Sequence, residues 1–133
     1  MKIQNSNYLK DVIEVFPCNI GKVFFYKDLA IVEAKQGMHV CYENTKDLAI
    51  KIKDFFGSRK FGLISNRIND YSVEILDYER FYNYLPNLVA HGITYYNSQT
   101  SFNVELEKNY IGVPLFSNNN LKYVFENVKI QLN

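Results

Sequence analysis

Strand-like and helix-like patterns alternate along most of this chain, and this alternation limits the fold more than any other feature. Leu29–Lys35 and residues 61–65 are short apolar runs, as expected of strands that are covered on both faces of a sheet. Between them, apolar residues repeat at helical spacing. A strand, a helix and a strand in this order form a right-handed parallel crossover. The sequence therefore predicts an α/β fold.

The remaining elements continue the alternation. They are an edge strand at 8–16, a hairpin of strands 21–26 and 29–35, helices at 75–85, 102–110 and 121–128, and strands at 91–96 and 113–116. This order predicts a single-domain mixed β-sheet with a parallel core, an opening β-hairpin and about four helices packed on it. Residues 1–6 are expected to form a loose N-terminus.

The ends and faces of two helices are predicted in more detail. The first helix is expected to begin at an N-cap residue, Asn44, and to end at Gly57. In the third helix the apolar residues stand four positions apart, which predicts a buried face formed by Phe102, Leu106 and Tyr110.

The composition is that of a folded protein without a strong electrostatic preference for a partner. The 133 residues are 47% hydrophobic and 22% charged, and the formal net charge is +1. A chain of this size buries a core without the support of metals or disulfides. Its near-zero charge produces no field that would attract nucleic acid or an anionic membrane. We therefore expect no nucleic-acid partner.

The cellular compartment is predicted from the absence of signal-like and membrane-spanning segments and from the spacing of the cysteines. The N-terminal segment lacks the apolar core of a secretory signal, and no apolar run approaches membrane-spanning length. Cys18 and Cys41 show neither a Cys-x-x-Cys spacing nor a nearby pair of histidines, so both are expected to be reduced. The sequence predicts a cytoplasmic protein without a membrane span, and no metal or other cofactor is expected.

A dense set of hydrogen-bonding side chains follows the apolar run at 61–64. It consists of Ser65, Asn66, Arg67, Asn69, Asp70, Tyr71 and Ser72. We predict a polar loop at the exit of a central strand, where an α/β domain places a binding surface. Parallel strands would bring residues 36–39, 66–72 and 97–101 to one rim, which adds His39 and Asn97 to the predicted binding residues. Helix N-termini at this rim would suit a carboxylate or phosphate.

Arg67 is the first candidate for contact with a ligand. Its planar guanidinium can hold an anion with two hydrogen bonds, but an arginine in a loop also clamps neighbouring carboxylates. Asp70 is the nearest candidate for such a partner.

Catalytic chemistry has weak support in the sequence. His39 could meet Ser65, whereas His91 is expected at the start of a strand, away from the rim, in a structural role. Glu33 and Glu105 are expected on the solvated surface. Phosphate-binding, dinucleotide-binding, nucleophile-elbow and zinc-protease motifs do not occur in the sequence, so no catalytic residue is predicted.

Three segments resemble STAS-like domains, specifically the SpoIIAA-like group. They are Gly21–Glu33, the helix end Phe55-Phe56-Gly57, and Leu63–Val73, and the order of elements agrees over nearly the whole chain. This group is related to anti-sigma-factor antagonists and, more distantly, to CRAL-TRIO lipid-binding domains. The resemblance implies a mixed α/β sheet, and it implies phosphorylation of a serine at the start of the helix after a central strand, for which Ser65 and Ser72 are the candidates.

Three function classes follow from these observations. The leading one is a non-catalytic protein-interaction or regulatory module that binds an unidentified protein partner through the polar loop. The alternative is a carrier or sensor of a small apolar or amphipathic, lipid-like ligand, indicated by aromatic residues on the helices that cover the sheet. The third is a small enzyme of unknown reaction. Exposed edge strands near the N-terminus or at 113–116 would also allow a homodimer.

Overall fold

The computed structural model of the chain describes residues 2–133. Its strands are β1 (Glu14–Cys18), β2 (Gly21–Phe25), β3 (Leu29–Ala34), β4 (His39–Val40), β5 (Phe61–Arg67), β6 (Ser72–Val73), β7 (Leu88–Tyr95) and β8 (Leu115–Asn118). Its α-helices are α1 (Lys46–Phe56), α2 (Tyr78–Tyr84), α3 (Ser98–Glu107) and α4 (Leu121–Gln131). Short 3-10 turns cover Ile3–Asn5, Asn7–Asp11, Glu43–Thr45, Ile75–Asp77 and Lys108–Tyr110.

Six strands form one mixed sheet in the order β1-β2-β3-β5-β7-β8. The first three strands pair antiparallel, and the pairs β3–β5, β5–β7 and β7–β8 are parallel. The α/β prediction is therefore confirmed, including its opening hairpin and parallel core. The sequence did not predict β4 and β6, which form a separate two-stranded parallel pair.

The helices divide between the two faces of the sheet. Because β3, β5, β7 and β8 follow one another across the sheet in one direction, right-handed crossovers place α1, α2 and α3 on the same face. The core on that face includes Ile52, Phe56 and Leu63. On the other face, Val124 and Val128 of α4 pack against the sheet.

The beginning of the chain differs from its prediction. The described residues 2–6 are not loose, because Ile3 is fully buried and its backbone N–H donates a hydrogen bond to the Glu33 carboxylate at 2.9 Å. The predicted strand at 8–16 is also misplaced. Residues Asn7–Asp11 form a 3-10 turn, and β1 includes Pro17, which was predicted to end the strand. Proline is tolerated there because β1 lies at an edge of the sheet.

The predicted C-terminal end of α1 is right, and its predicted N-cap is wrong. Gly57 follows the last residue of α1 at a φ of 61°, a left-handed value that favours glycine. Asn44 is not the N-cap, since α1 begins at Lys46. Instead its side chain accepts a hydrogen bond from the Cys41 N–H and donates one to the His39 carbonyl, which fixes the turn before the helix.

Helix α3 exists as predicted but buries a different face. Phe102 and Leu106 are 63% and 52% exposed, whereas Val104 and Glu107 are buried. The prediction is wrong because it assumed that apolar side chains mark the buried stripe. A buried carboxylate occupies that stripe instead, and its partner lies on the sheet.

Gly92 lies where α4 packs closely on the sheet, so a substitution there tests this packing. A Cβ at this position would lie 2.5 Å from Val124 Cγ1 and 3.0 Å from Val128 Cγ2. We expect Gly92→Ala to lower the free energy of unfolding by about 1–3 kcal/mol, measured by urea denaturation, because the helix must shift. Gly112→Ala is the control, since its nearest neighbour would be 3.8 Å away. Equal stability of the two variants would contradict this packing.

Candidate functional site

Strand β5 carries polar residues into the interior of the protein. The sequence predicted that the strand ends near Ser65, but it continues to Arg67. Asn66 is fully buried and Arg67 is 3% exposed, so neither lies in a solvent-exposed loop. The prediction of a loop is wrong at these positions because buried hydrogen bonds compensate for their polarity. Alternating strand geometry sends the two side chains to opposite faces of the sheet.

Arg67 is clamped by Glu107 of α3. Its Nη1 and Nη2 atoms donate to the two carboxylate oxygens, each at 2.6 Å. The Tyr78 hydroxyl donates to the same carboxylate at 2.5 Å. Asp70, the partner suggested by the sequence, instead accepts a hydrogen bond from Asn97 Nδ2 at 3.0 Å. The prediction of a clamping arginine is therefore right, but the predicted partner is wrong.

The ion pair holds both groups in their charged forms. Burial alone would raise the pKa of Glu107, but the hydrogen bonds and positive charge of Arg67 lower it below the usual value. For Arg67 burial acts in the opposite direction, and the Glu107 carboxylate more than compensates, so the pKa of the guanidinium is raised.

His91 lies at the centre of the same face, where the sequence did not place it. Because β7 begins at Leu88, His91 is opposite Leu63 in mid-strand and is buried. Its Nδ1 lies 2.8 Å from the Tyr82 hydroxyl, and its Nε2 lies 3.4 Å from Ser65 Oγ. Burial, followed by the charge of Arg67, lowers the pKa of His91 to about 4, so the imidazole is neutral at pH 7. The apolar residues just before His91 were the available signal for the longer strand.

Ser65, Arg67 and His91 line a cavity of about 90 Å³ between the sheet and the helices α1 and α2. One part of its wall is apolar and includes Val32, Ala34, Leu48 and Phe81. Another part is polar and includes Ser65, Arg67, Tyr71 and His91. The cavity therefore combines an apolar surface with a small group of polar side chains, as small-molecule sites commonly do.

The two-stranded β4–β6 pair forms a further wall of the cavity, to which it contributes Val40 and Val73. Backbone hydrogen bonds from Ser72 N to the Met38 carbonyl, at 2.9 Å, and from Glu74 N to the Val40 carbonyl, at 2.8 Å, hold the pair together. The hypothesis that His39 meets Ser65 is wrong. His39 Nδ1 lies 2.7 Å from Ser72 Oγ, and the imidazole beside Ser65 is that of His91.

The predicted rim does form at the carboxyl ends of the parallel strands. Asn69 Nδ2 donates to the Ala34 carbonyl at 3.0 Å, and Gln36 Oε1 accepts from the Asp70 N–H at 2.9 Å. Together with the contact between Asp70 and Asn97, these bonds join the three predicted segments. The rim and the cavity are adjacent, since Tyr71 of the rim also lines the cavity. Partner binding by the rim residues stays a prediction.

Asn66 and Glu33 form a polar contact on the opposite face. Asn66 Nδ2 donates to the Glu33 carboxylate at 2.7 Å, and Asn66 Oδ1 accepts from the Tyr96 hydroxyl at 2.6 Å. The prediction of a solvated Glu33 is therefore wrong, because this carboxylate receives hydrogen bonds from Asn66 and from the chain start. Glu105 is exposed, as predicted.

Neither candidate serine lies where the resemblance implies a phosphorylated one. Ser65 is inside β5 and faces the cavity, and Ser72 is the exposed first residue of β6. The helix α2 begins six residues later, at Tyr78. Both serines are strand residues instead of helix-start residues.

Within residues 2–133, no cluster of three or more His, Cys, Asp or Glu side chains is placed to bind a metal ion. The helices in this part of the chain are also too short or too polar to cross a bilayer. Comparisons of the chain with protein-family models, with curated proteins and with solved structures gave no match.

The ion pair can be tested on α3 itself. Glu107→Gln should lower the free energy of unfolding by about 3–5 kcal/mol in urea denaturation, because it leaves a buried guanidinium without its carboxylate. Glu105→Gln is the matched control on the same helix. Its carboxylate is exposed and pairs with Lys108 on the surface, so we expect a loss below about 1 kcal/mol. Similar losses for the two variants would contradict a buried pair.

His91 makes stability depend on pH in a defined direction. Its pKa falls from 6.5 to about 4 on folding, so the unfolded chain binds this proton first as the pH decreases. Stability from this group is therefore complete above about pH 6.5 and is lost between about pH 6.5 and 4, by about 3 kcal/mol. Urea denaturation across this range should show a smaller loss for His91→Asn than for the wild type. An equal loss in the two proteins would contradict a buried neutral imidazole. His39→Asn, which removes a surface imidazole, is the control and should lose stability as the wild type does.

Proposed function

We propose that the protein binds a small amphipathic molecule in this cavity, as a carrier or sensor. The observation that carries the proposal is an apolar cavity with a polar end formed by Ser65, Arg67 and His91. Apolar walls with a small number of polar side chains at one end are typical of small-molecule sites.

The volume limits the size of the ligand. The cavity measures about 90 Å³, and an apolar protein cavity of about 150 Å³ holds one benzene molecule. A molecule, or the buried end of a molecule, with about four non-hydrogen atoms therefore fits without a change in the protein. The cavity is partly open to solvent, so the rest of a larger ligand would extend outward from it.

Binding without catalysis fits the chemistry of Ser65 and His91. The two side chains form the closest approach to a nucleophile and base in the cavity, at 3.4 Å. However, the lowered pKa of His91, about 4, makes the imidazole a weak base near neutral pH. The Tyr82 hydroxyl at Nδ1 also gives the imidazole no carboxylate to stabilise its protonated form.

The protein-interaction module is the second candidate, favoured by the exposed part of the rim. His39, Asp70, Ser72 and Asn97 are exposed and lie on segments that the structure brings together. The STAS-like resemblance and a cytoplasmic location belong to this candidate as further proposals. If no small molecule binds in the cavity, the rim is the better candidate site.

A substitution that fills the cavity tests the leading proposal. Val40→Phe adds an aromatic ring to a residue that lines the cavity, whereas Val15→Phe adds the same ring to an exposed residue of β1. In ligand-observed NMR with fragments of about four to six non-hydrogen atoms, the wild type and Val15→Phe should bind the same fragments and Val40→Phe should lose them. Thermal denaturation checks that both variants fold.

Cys41 provides an independent measure, because it lines the cavity. In a Cys18→Ser background, a fragment at ten times its Kd should slow alkylation of Cys41 by iodoacetamide about tenfold. Fragments that bind but leave the rate of alkylation unchanged occupy another site and would contradict the proposal.

A further inference from the structure

The exposed side of α3 carries a stripe of large apolar side chains. Phe102, Leu106 and Tyr110 stand four residues apart on α3 and on the 3-10 turn that continues it, and they are 63%, 52% and 43% exposed. The opposite side of the helix is held on the sheet by the buried ion pair between Glu107 and Arg67. Because rotation of α3 would break this pair, the stripe can be buried only by a second molecule.

A groove lies beside the stripe, between α2 and the end of α3. Its volume is about 490 Å³, and its walls include Ile75, Leu76 and Tyr82 together with Tyr110 of the stripe. Leu76 is 68% exposed, more than any other large apolar residue in the described part of the chain. The stripe and the groove therefore form one apolar surface, and exposed surfaces of this kind mark sites of interaction between proteins.

The charges that border the stripe favour a second copy of this chain as the partner. Glu105 and Lys108 lie three residues apart beside the stripe, and both are exposed. When two identical helices pack antiparallel about a two-fold axis, the same side of each helix meets its counterpart in reverse order. Glu105 of each copy then faces Lys108 of the other copy. The formal net charge of +1 adds little repulsion between the copies.

We propose that the stripe and the groove form a self-association surface, on which a second copy packs antiparallel about a two-fold axis near Leu106. Leu106 contacts its equivalent in the second copy, and Phe102 contacts Tyr110 and the groove of that copy. The apolar surface is small for an obligate dimer, so the association is transient, with a Kd of about 10–100 μM.

This surface is separate from the cavity. No residue of the stripe or of the groove lines the cavity, so the inference goes beyond the proposed function. It also differs from the homodimer expected from the sequence, which would form through the edge strands.

Sedimentation velocity of the full chain at about 5–500 μM measures the association. The mean mass should rise from 15.6 kDa toward twice that value. Leu106→Lys places two like charges near the two-fold axis and should raise the Kd at least about tenfold. Ile130→Lys is the matched control, because Ile130 is 62% exposed on α4, at the other face of the sheet, and should leave the Kd unchanged. Thermal denaturation checks that both variants fold.

Exchange of the bordering charges tests the antiparallel arrangement. Glu105→Lys and Lys108→Glu each place like charges opposite each other in a homodimer, so each variant alone should associate about three- to tenfold more weakly at low salt. An equal mixture of the two variants should return to about the wild-type Kd, since both contacts between the copies again join opposite charges. Each variant has lost the pair within its own helix, so only contacts between copies can produce this rescue.

Three outcomes would overturn the inference. A chain that stays monomeric up to about 500 μM would leave the stripe as a site for a different protein. A dimer that Leu106→Lys leaves intact would form through another surface, such as the edge strand β1. Charge variants that associate as the wild type does, or that show no rescue when mixed, would contradict the antiparallel arrangement. Fragment binding in the cavity is measured separately with Val40→Phe, so none of these outcomes decides the proposed function.

Discussion

The bidentate ion pair between Arg67 and Glu107 determines how one face of this protein is built. It joins the central strand β5 to α3 across 40 residues of sequence, with both groups almost completely buried. Removing two charges from water is costly, and only close geometry with additional hydrogen bonds compensates for that cost. The 2.6 Å contacts and the Tyr78 hydroxyl provide this geometry. The position of α3, and with it the polar end of the cavity, therefore depends on this pair.

The same pair determines the electrostatics of the cavity. With its charge neutralised by Glu107, Arg67 provides little net attraction for an anion. Its remaining positive field disfavours a second cation nearby, which together with burial keeps His91 neutral. A neutral imidazole, a neutralised guanidinium and the hydroxyls of Ser65 and Tyr71 form a polar surface with little net charge. Such a surface suits hydrogen bonding to uncharged groups better than the capture of ions.

Hydrophobic periodicity was sufficient for the element order and insufficient for the site. Apolar patterns predicted the hairpin and the parallel crossovers, because burial of apolar side chains produces a period that is visible in a local window. Arg67 and Glu107 broke the two local predictions that involve them. Each is a polar residue at a core position, and its compensating partner is 40 residues away. No local pattern reports such a partner, so β5 was ended too early and the wrong face of α3 was predicted to be buried.

The contrast between Asn66 and Arg67 shows why the cavity face, and not the opposite one, is the candidate site. These neighbours point to opposite faces of β5 and are both buried. The Asn66 side chain is hydrogen-bonded to Glu33 and Tyr96 inside the core. Glu33 also accepts a hydrogen bond from the backbone of Ile3 near the start of the chain. Arg67 has equally strong contacts with Glu107 at two of its nitrogens, and its side chain also borders open volume. The polar groups on the cavity face of β5 therefore lie beside space for a ligand, whereas those on the opposite face are closed within the core.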